Sequence, residues 1–449
     1  MVGGDEMSDE RKGLFDSLPD QPAPDRQGHA GVRLREAERD QIELMMMSLD
    51  DLLPADHRAR VVWSFVEKVD VSALEAQIGS VEGQAGAPAT DPRILLALWL
   101  YATLEGVGSA RELDRLCKEH HGYRWLRGGV SLNYHTLNDF RGGHGAFLET
   151  LLTDMVAAML HAGLVTMDRV AQDGMKVRAA AGAGSFRRRA TLEARRREAA
   201  DQLARLRREL DGDQAAGQRR RQAAQERAER EKQERIEAAL KALPEIEAQR
   251  QRKGKPVDQA RASMTDADAR IVKMPDGGHR PGYNVQFATT TDGQVIIGVD
   301  VTNTSSDQGQ AGRMVDQIER RYGRRPAELL VDGGFVSFDD FERIAQLGCN
   351  VFAPVPEPRE AGRDRFEPRA SDPPIIAAWR RRMATEAAQA IYRERAQTAE
   401  CANAQARNRG FRQLTVRGLA KARAMALMYA IAHNLMRAFS LEHAVSAVP

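Results

Sequence analysis

Apolar residues recur along this chain in two rhythms. Between about residues 40 and 165 they return every three or four positions, the period of an amphipathic helix. After residue 165 they gather in short runs bounded by Gly, Asp and Asn, the pattern of strands. In the first part, "ATDPRILLALWLYATLEG" opens with Asp91 as a helix N-cap and Pro92 at the first helical position. "GSARELDRLCKEH" opens with Ser109 and has Glu112 three residues on, a capping box. A Gly-rich break and a short polar segment, residues 134–141, follow. In the second part, Val165, Val170 and Val177 predict a strand in "GLVTMDRVAQDGMKV". "GYNVQFATTTDGQVIIGVDVTN" predicts two strands joined at "TTDG" as a hairpin. A helix, a strand ending at Asp332, a helix capped by Ser337, a short strand and further helices after Pro373 and Pro374 complete the pattern.

A hairpin followed by α/β alternation predicts an α/β fold with an RNase H-like mixed sheet and flanking helices. An all-helical N-terminal domain precedes it and a charged helical insertion interrupts it. The expected divisions are a disordered tail over 1–35, the helical module over 36–165, a catalytic domain made of 166–185 and 259–449, and the insertion over 186–258. The insertion is dominated by Arg, Glu, Ala and Gln, so it reads as a solvated helical hairpin or a coiled coil. Gly212 and Gly217 are the expected turn.

Composition narrows the function classes. A chain of 449 residues with 42% hydrophobic content can build a globular core. The three cysteines are far apart, which argues against a disulfide frame or a zinc site and for a reducing compartment. The apolar runs at 94–104 and around "AMALMYAIAHNLM" are too short to span a bilayer, and the second is expected to break at His433. The expectation is a cytoplasmic protein with no membrane partner. There is no Walker loop and no GxGxxG.

"IYRERAQTAECANAQARNRG", residues 391–410, reads as one helix with a Gly stop, and every seventh residue from Arg393 is charged: Arg393, Glu400, Arg407. Seven residues is close to two turns, so the three are expected on one face, about 10 Å apart. Two other carboxylates give that glutamate a purpose. Asp173 lies on the first strand and Asp332 at the end of the fourth. These strands are neighbours in an RNase H-like sheet. Three converging carboxylates suit hard divalent cations. Two Mg²⁺ ions, with Mn²⁺ as an alternative, would then act on a phosphodiester. On this reading Arg393 and Arg407 meet phosphates, and Asn403 shares the substrate face. Asp266, Asp268, Asp300 and Asp307 compete for the site but are expected to support it, Asp307 as a helix cap. Residues 109–141 read equally as helix-turn-helix, exposing His135, Asn138 and Arg141 to DNA, or as an ordinary bundle.

The segments "AQDGMKVRAAAGAGSFRR", "MTDADARIVKMPDGGHRPGYNVQFA", "LLVDGGFVS" and "YRERAQTAECANAQARNRGFRQLTVRGLAKARAMALMYAIAHNLMR" together resemble bacterial insertion-sequence transposases of the DDE class. The resemblance covers roughly residues 40–180 and 260–440. The family's Tyr–Arg–Glu–Lys signature falls on Tyr392, Arg395, Glu400 and Arg407, with Arg in place of Lys and one extra residue between Arg395 and Glu400. The resemblance implies Asp173, Asp332 and Glu400 as catalytic metal ligands. Arg393, Arg395, Arg407, Asn403, Tyr392 and Lys176 are the expected DNA contacts. It further implies a helical module that reads terminal inverted repeats, double-stranded DNA as partner and target, a homodimer in synapsis, and cleavage followed by strand transfer. A nuclease without strand transfer, or an inactive DNA-binding regulator, are the alternatives.

Overall fold

A computed structural model describes residues 46–80, 87–210, 216–358 and 362–446. The tail expected over 1–35 and the turn expected at Gly212 lie outside them. Gly217 falls within a helix instead of ending one.

The N-terminal part is helical, as its period demands: α1 (Arg58–Val66), α2 (Ser72–Glu75), α3 (Pro92–Leu104), α4 (Ala110–Glu119), α5 (His121–Arg127), α6 (Tyr134–Gly143) and α7 (Gly145–His161). The Asp91 side chain accepts from the Arg93 amide and Ser109 from that of Glu112, so both caps act as the sequence requires. Ten of the thirteen residues of α3 are buried, which explains a helix apolar on nearly every side.

The sheet begins with β1 (Arg169–Arg178). Two short strands, β2 (Phe186–Arg187) and β3 (Ala262–Ser263), pair at the root of a hairpin formed by α8 (Arg189–Leu210) and α9 (Ala216–Arg252). That hairpin has a small core of its own, built on Leu192, Ile236 and Leu243. The main sheet continues with β4 (Arg270–Lys273), β5 (His279–Thr290), β6 (Ile296–Thr302), then α10 (Gln310–Tyr322), β7 (Glu328–Leu330), α11 (Phe338–Gln346) and β8 (Asn350–Phe352). Four helices close the chain: α12 (Pro374–Met383), α13 (Glu386–Arg395), α14 (Cys401–Asn408) and α15 (Leu419–Ser446).

Strand β5 is antiparallel to β1 on one side and to β4 and β6 on the other, while β1, β7 and β8 run parallel. This is the curled mixed sheet of the RNase H-like fold. The expected adjacency of the first and fourth major strands is present: Ala171 of β1 pairs with Leu330 of β7. Two residues further on stand Asp173, still on β1, and Asp332, just past the end of β7, so the parallel register carries them to the same level.

Helix α15 does not break at His433. The imidazole Nε2 lies 2.8 Å from the Gln294 carbonyl oxygen and donates to it, while Asn434 exchanges two 2.8 Å bonds with the Ile296 backbone. Both residues are buried because they hold the β5–β6 turn. In that turn Gln294 has φ 54°, a left-handed conformation rare outside glycine. Among the described residues no helix is long and apolar enough to cross a membrane.

The same helix packs on α3, α6 and α7 and on β6, so one continuous core runs from the helical region into the sheet. Arg141, expected to be exposed, is buried at this seam. Its guanidinium donates to the Gly108 carbonyl, to Thr415 Oγ1 at 2.7 Å and to Asn138 Oδ1 at 2.9 Å, and lies over the Trp99 ring. Packing against Trp99 took it from the surface.

Candidate active site

Three carboxylates meet around one guanidinium. Arg395, at the end of α13 and only 8% exposed, places Nη1 2.8 Å from Glu400 Oε1. Its Nη2 stands 3.4 Å from Asp173 Oδ1 and 3.8 Å from Asp332 Oδ2. Asp173 Oδ1 also accepts from the Gly174 amide at 2.9 Å, and Oδ2 from Asn403 Nδ2 at 3.0 Å. Asp332 turns its carboxylate onto the Gly334 amide at 2.8 Å. Burial pushes the Asp173 carboxyl up from its usual range, and the Asp332 charge adds to this against the pull of Arg395. For Arg395, burial works against the charge, but the carboxylates of Asp173 and Asp332 outweigh it and hold the guanidinium above its usual value.

The helix that carries Arg395 and Glu400 is not the continuous α-helix that a seven-residue charge repeat suggests. Residues Ala396–Glu400 form a π-helical turn between α13 and α14. Such a turn holds one residue more than an α-turn, so positions on either side slip by about 100°. Arg393 therefore leaves the face of Glu400 and is exposed, without an ion pair among the described residues. Tyr392 takes that phase instead. It is half-buried, and burial raises its phenol, with Arg395, Asp332, Glu400 and Asp173 all close enough to act on it. Arg407 lies beyond the π turn and keeps its phase with Glu400. The wide turn loosens the carbonyl ladder, and side chains take up two of the carbonyls: Thr398 Oγ1 donates to the Glu394 carbonyl and Gln294 Nε2 to that of Gln397. The extra residue between Arg395 and Glu400 was the visible sign of this turn.

Lys176 sits apart from the three carboxylates. Three residues after Asp173 on a strand, it faces the other side of the sheet. There its Nζ is 3.0 Å from Asp307 Oδ1, which also accepts from Asn284 at 2.6 Å and Gln286 at 2.7 Å. Asp307 is not the cap of α10, a place held by Gly309. Its carboxylate lies directly on Gly174, where a Cβ would overlap it and the Gln286 amide. Close approach is thus why glycine follows Asp173. The other competing acids are occupied elsewhere. Asp266 and Asp268 accept the Gly418 and Leu419 amides at the start of α15, and Asp300 pairs with Arg423.

The family model for the Transposase DDE domain matches residues 259–435, and that for the Transposase domain (DUF772) matches residues 47–142. The chain belongs to the DDE transposases of insertion sequences. It is an enzyme that cleaves DNA and joins strands. The first match runs from just before β3 into α15 and so includes Asp332 and Glu400, whereas Asp173 lies outside both. No curated protein and no solved structure matches the transposase.

DDE transposases generally use divalent metal. Among the described residues, no three His, Cys, Asp or Glu side chains are placed to hold an ion together as they stand. The donor set nevertheless fits a hard cation: all its atoms are carboxylate oxygens, and a cation, the Arg395 guanidinium, already occupies the point where they converge.

Proposed function

We propose that this transposase binds the terminal inverted repeats of its element, cuts at their ends with divalent metal, and joins the freed 3′-hydroxyl to target DNA. The observation that carries the reading is the convergence of Asp173, Asp332 and Glu400 on the Arg395 guanidinium. On this reading the three carboxylates are the metal ligands. Bound Mg²⁺ or Mn²⁺, as a pair of ions, would supply Lewis acidity that activates water or a 3′-hydroxyl and neutralises the leaving oxygen. Asn403 fixes the direction of Asp173 through Oδ2. Arg395 exchanges its carboxylate partners for a DNA phosphate, a trade its planar fork suits. Arg407 and Tyr392, in phase with Glu400, meet the backbone beside the cut, with Arg393 further out on the exposed face.

The helical module over 36–165 is the proposed end-reading part, with His135 and Asn138 exposed on α6. Bringing two ends together calls for a homodimer. The test is substitution of each carboxylate. Asp173→Asn, Asp332→Asn and Glu400→Gln should each abolish Mg²⁺-dependent cleavage while the protein still binds end DNA, because a neutral amide is a poor ligand for a hard dication. Cleavage retained in any of the three removes that residue from the set. Pre-cut ends offered with target DNA should give joined product, and their failure to join would leave cleavage alone.

A further inference from the structure

A groove of about 700 Å³ opens between the root of the α8–α9 hairpin and the loop that leads from β6 to α10. Its lining carries Arg250, Arg252, Lys253, Lys255, Arg261 and Arg270, and no carboxylate. The opposite wall is polar and small, from Asn303 to Ser306. This distribution differs from the hairpin above it. There cations are matched by glutamates: Arg189 with Glu247, Arg207 and Arg230 with Glu226, Lys232 with Glu229. In the groove, Arg252, Lys253, Lys255 and Arg261 are exposed and make no ion pair among the described residues. The helix dipole accounts for cations in the last turn of α9, hence for Arg250 and Arg252. It does not account for Lys255 and Arg261, which lie beyond that helix; Arg270 is paired with Glu245 at 3.4 Å.

One end of the groove reaches the segment that follows Asp332. Gln308, part of its lining, donates from Nε2 to the Val336 carbonyl at 3.0 Å, four residues after Asp332. The neighbouring Asp307 rests on Gly174, on the face of β1 opposite the Asp173 side chain. A polyanion leaving the three carboxylates over this loop would meet concentrated positive charge.

We propose that this groove is a track for the phosphate backbone of duplex DNA, distinct from the carboxylate site; the proposal rests on the transposase having DNA as its partner. The groove would touch phosphates, so it would position DNA without reading its sequence. The signature of such binding is salt dependence, because each neutralised phosphate releases counterions.

The experiment measures the affinity of the full chain for a labelled duplex of arbitrary sequence across a salt series. One variant is Lys253→Gln/Lys255→Gln/Arg261→Gln. The control, Arg195→Gln/Arg196→Gln/Arg197→Gln, removes equal charge from exposed positions on α8. The slope of log affinity against log salt should fall by about 0.9 for each phosphate that the protein no longer neutralises, up to about 2.7 in the groove variant. The control should keep the wild-type slope. Lys255→Gln alone should lower the slope by about 0.9, which keeps the test sound if the triple variant folds poorly. An unchanged slope in the groove variants, or an equal fall in the control, overturns the track while leaving DNA as the partner. Wild-type protein that binds no duplex at all overturns both.

Discussion

Arg395 and Glu400 are five residues apart on one helical segment and yet make a 2.8 Å ion pair. In an α-helix, residues five apart point about 140° away from each other. The π turn over Ala396–Glu400 takes up about 100° of that angle, and so decides which cation the glutamate meets.

A length test follows from this pairing. Deleting exposed Ala396 should convert the π turn to an α turn and leave the two residues facing, now four apart. That variant should remain folded and cleave within about tenfold of wild type, or about 1.4 kcal/mol. Inserting one alanine after Gln397 should turn Glu400 by about a further 100° and lower cleavage by at least about a hundredfold. Melting temperature and single-turnover cleavage on both proteins check this. An active insertion variant would show that the register of Glu400 does not matter.

Arg395 holds mutually repelling carboxylates together when metal is absent. Arg395→Gln should therefore lose up to about 3 kcal/mol of stability in chelator, since it leaves the buried Asp173 charge uncompensated. Added Mg²⁺ should raise the melting temperature of this variant more than that of wild type, because the ion restores the missing charge without displacing a guanidinium. Equal Mg²⁺ shifts in both proteins would separate Arg395 from the metal set.

His433 gives the fold a pH dependence. Burial drives its imidazole down from 6.5 to about 4, and its Nδ1 has no partner to receive a second proton's N–H. Between these two values the unfolded chain binds a proton that the folded chain refuses, so stability rises with pH through that window. The contribution is complete above the unfolded value and is lost as pH falls toward about 4, a change of roughly 3 kcal/mol. His433→Gln, which can still donate to the Gln294 carbonyl, should show a flatter stability profile from neutral to acid pH in denaturant titrations. A parallel profile would exclude His433 as the source.

The close approach of Gly174 and Asp307 predicts coupling across the sheet. Gly174→Ala should destabilise by about 1–3 kcal/mol through overpacking. Asp307→Ala should lose the Lys176 ion pair but open space, so the double variant should be more stable than the sum of the two single effects allows. Strict additivity in thermal unfolding would mean that the Cβ is accommodated in some other direction.

Much of the fold was legible locally. Apolar spacing located α3 and the β5–β6 hairpin, and the side chains of Asp91 and Ser109 marked helix starts, because periodicity and capping are set by residues only a few positions apart. The level placement of Asp173 and Asp332 was also legible once strand order was assumed, since parallel register carries one strand's position onto its neighbour. The sequence did not determine what approaches those residues. Arg141 passed for a DNA reader until Trp99 and Thr415 enclosed it, and Lys176 looked like a phosphate ligand until Asp307 arrived from more than a hundred residues away. Arg393 gave up its place to Tyr392 because of one π turn, whose carbonyls are held in part by Gln294 from the β5–β6 hairpin. A side chain's type and its phase on a regular element are local properties. Its partner, and any departure of the helix from regular pitch, depend on segments distant in sequence that only tertiary packing brings within hydrogen-bond distance.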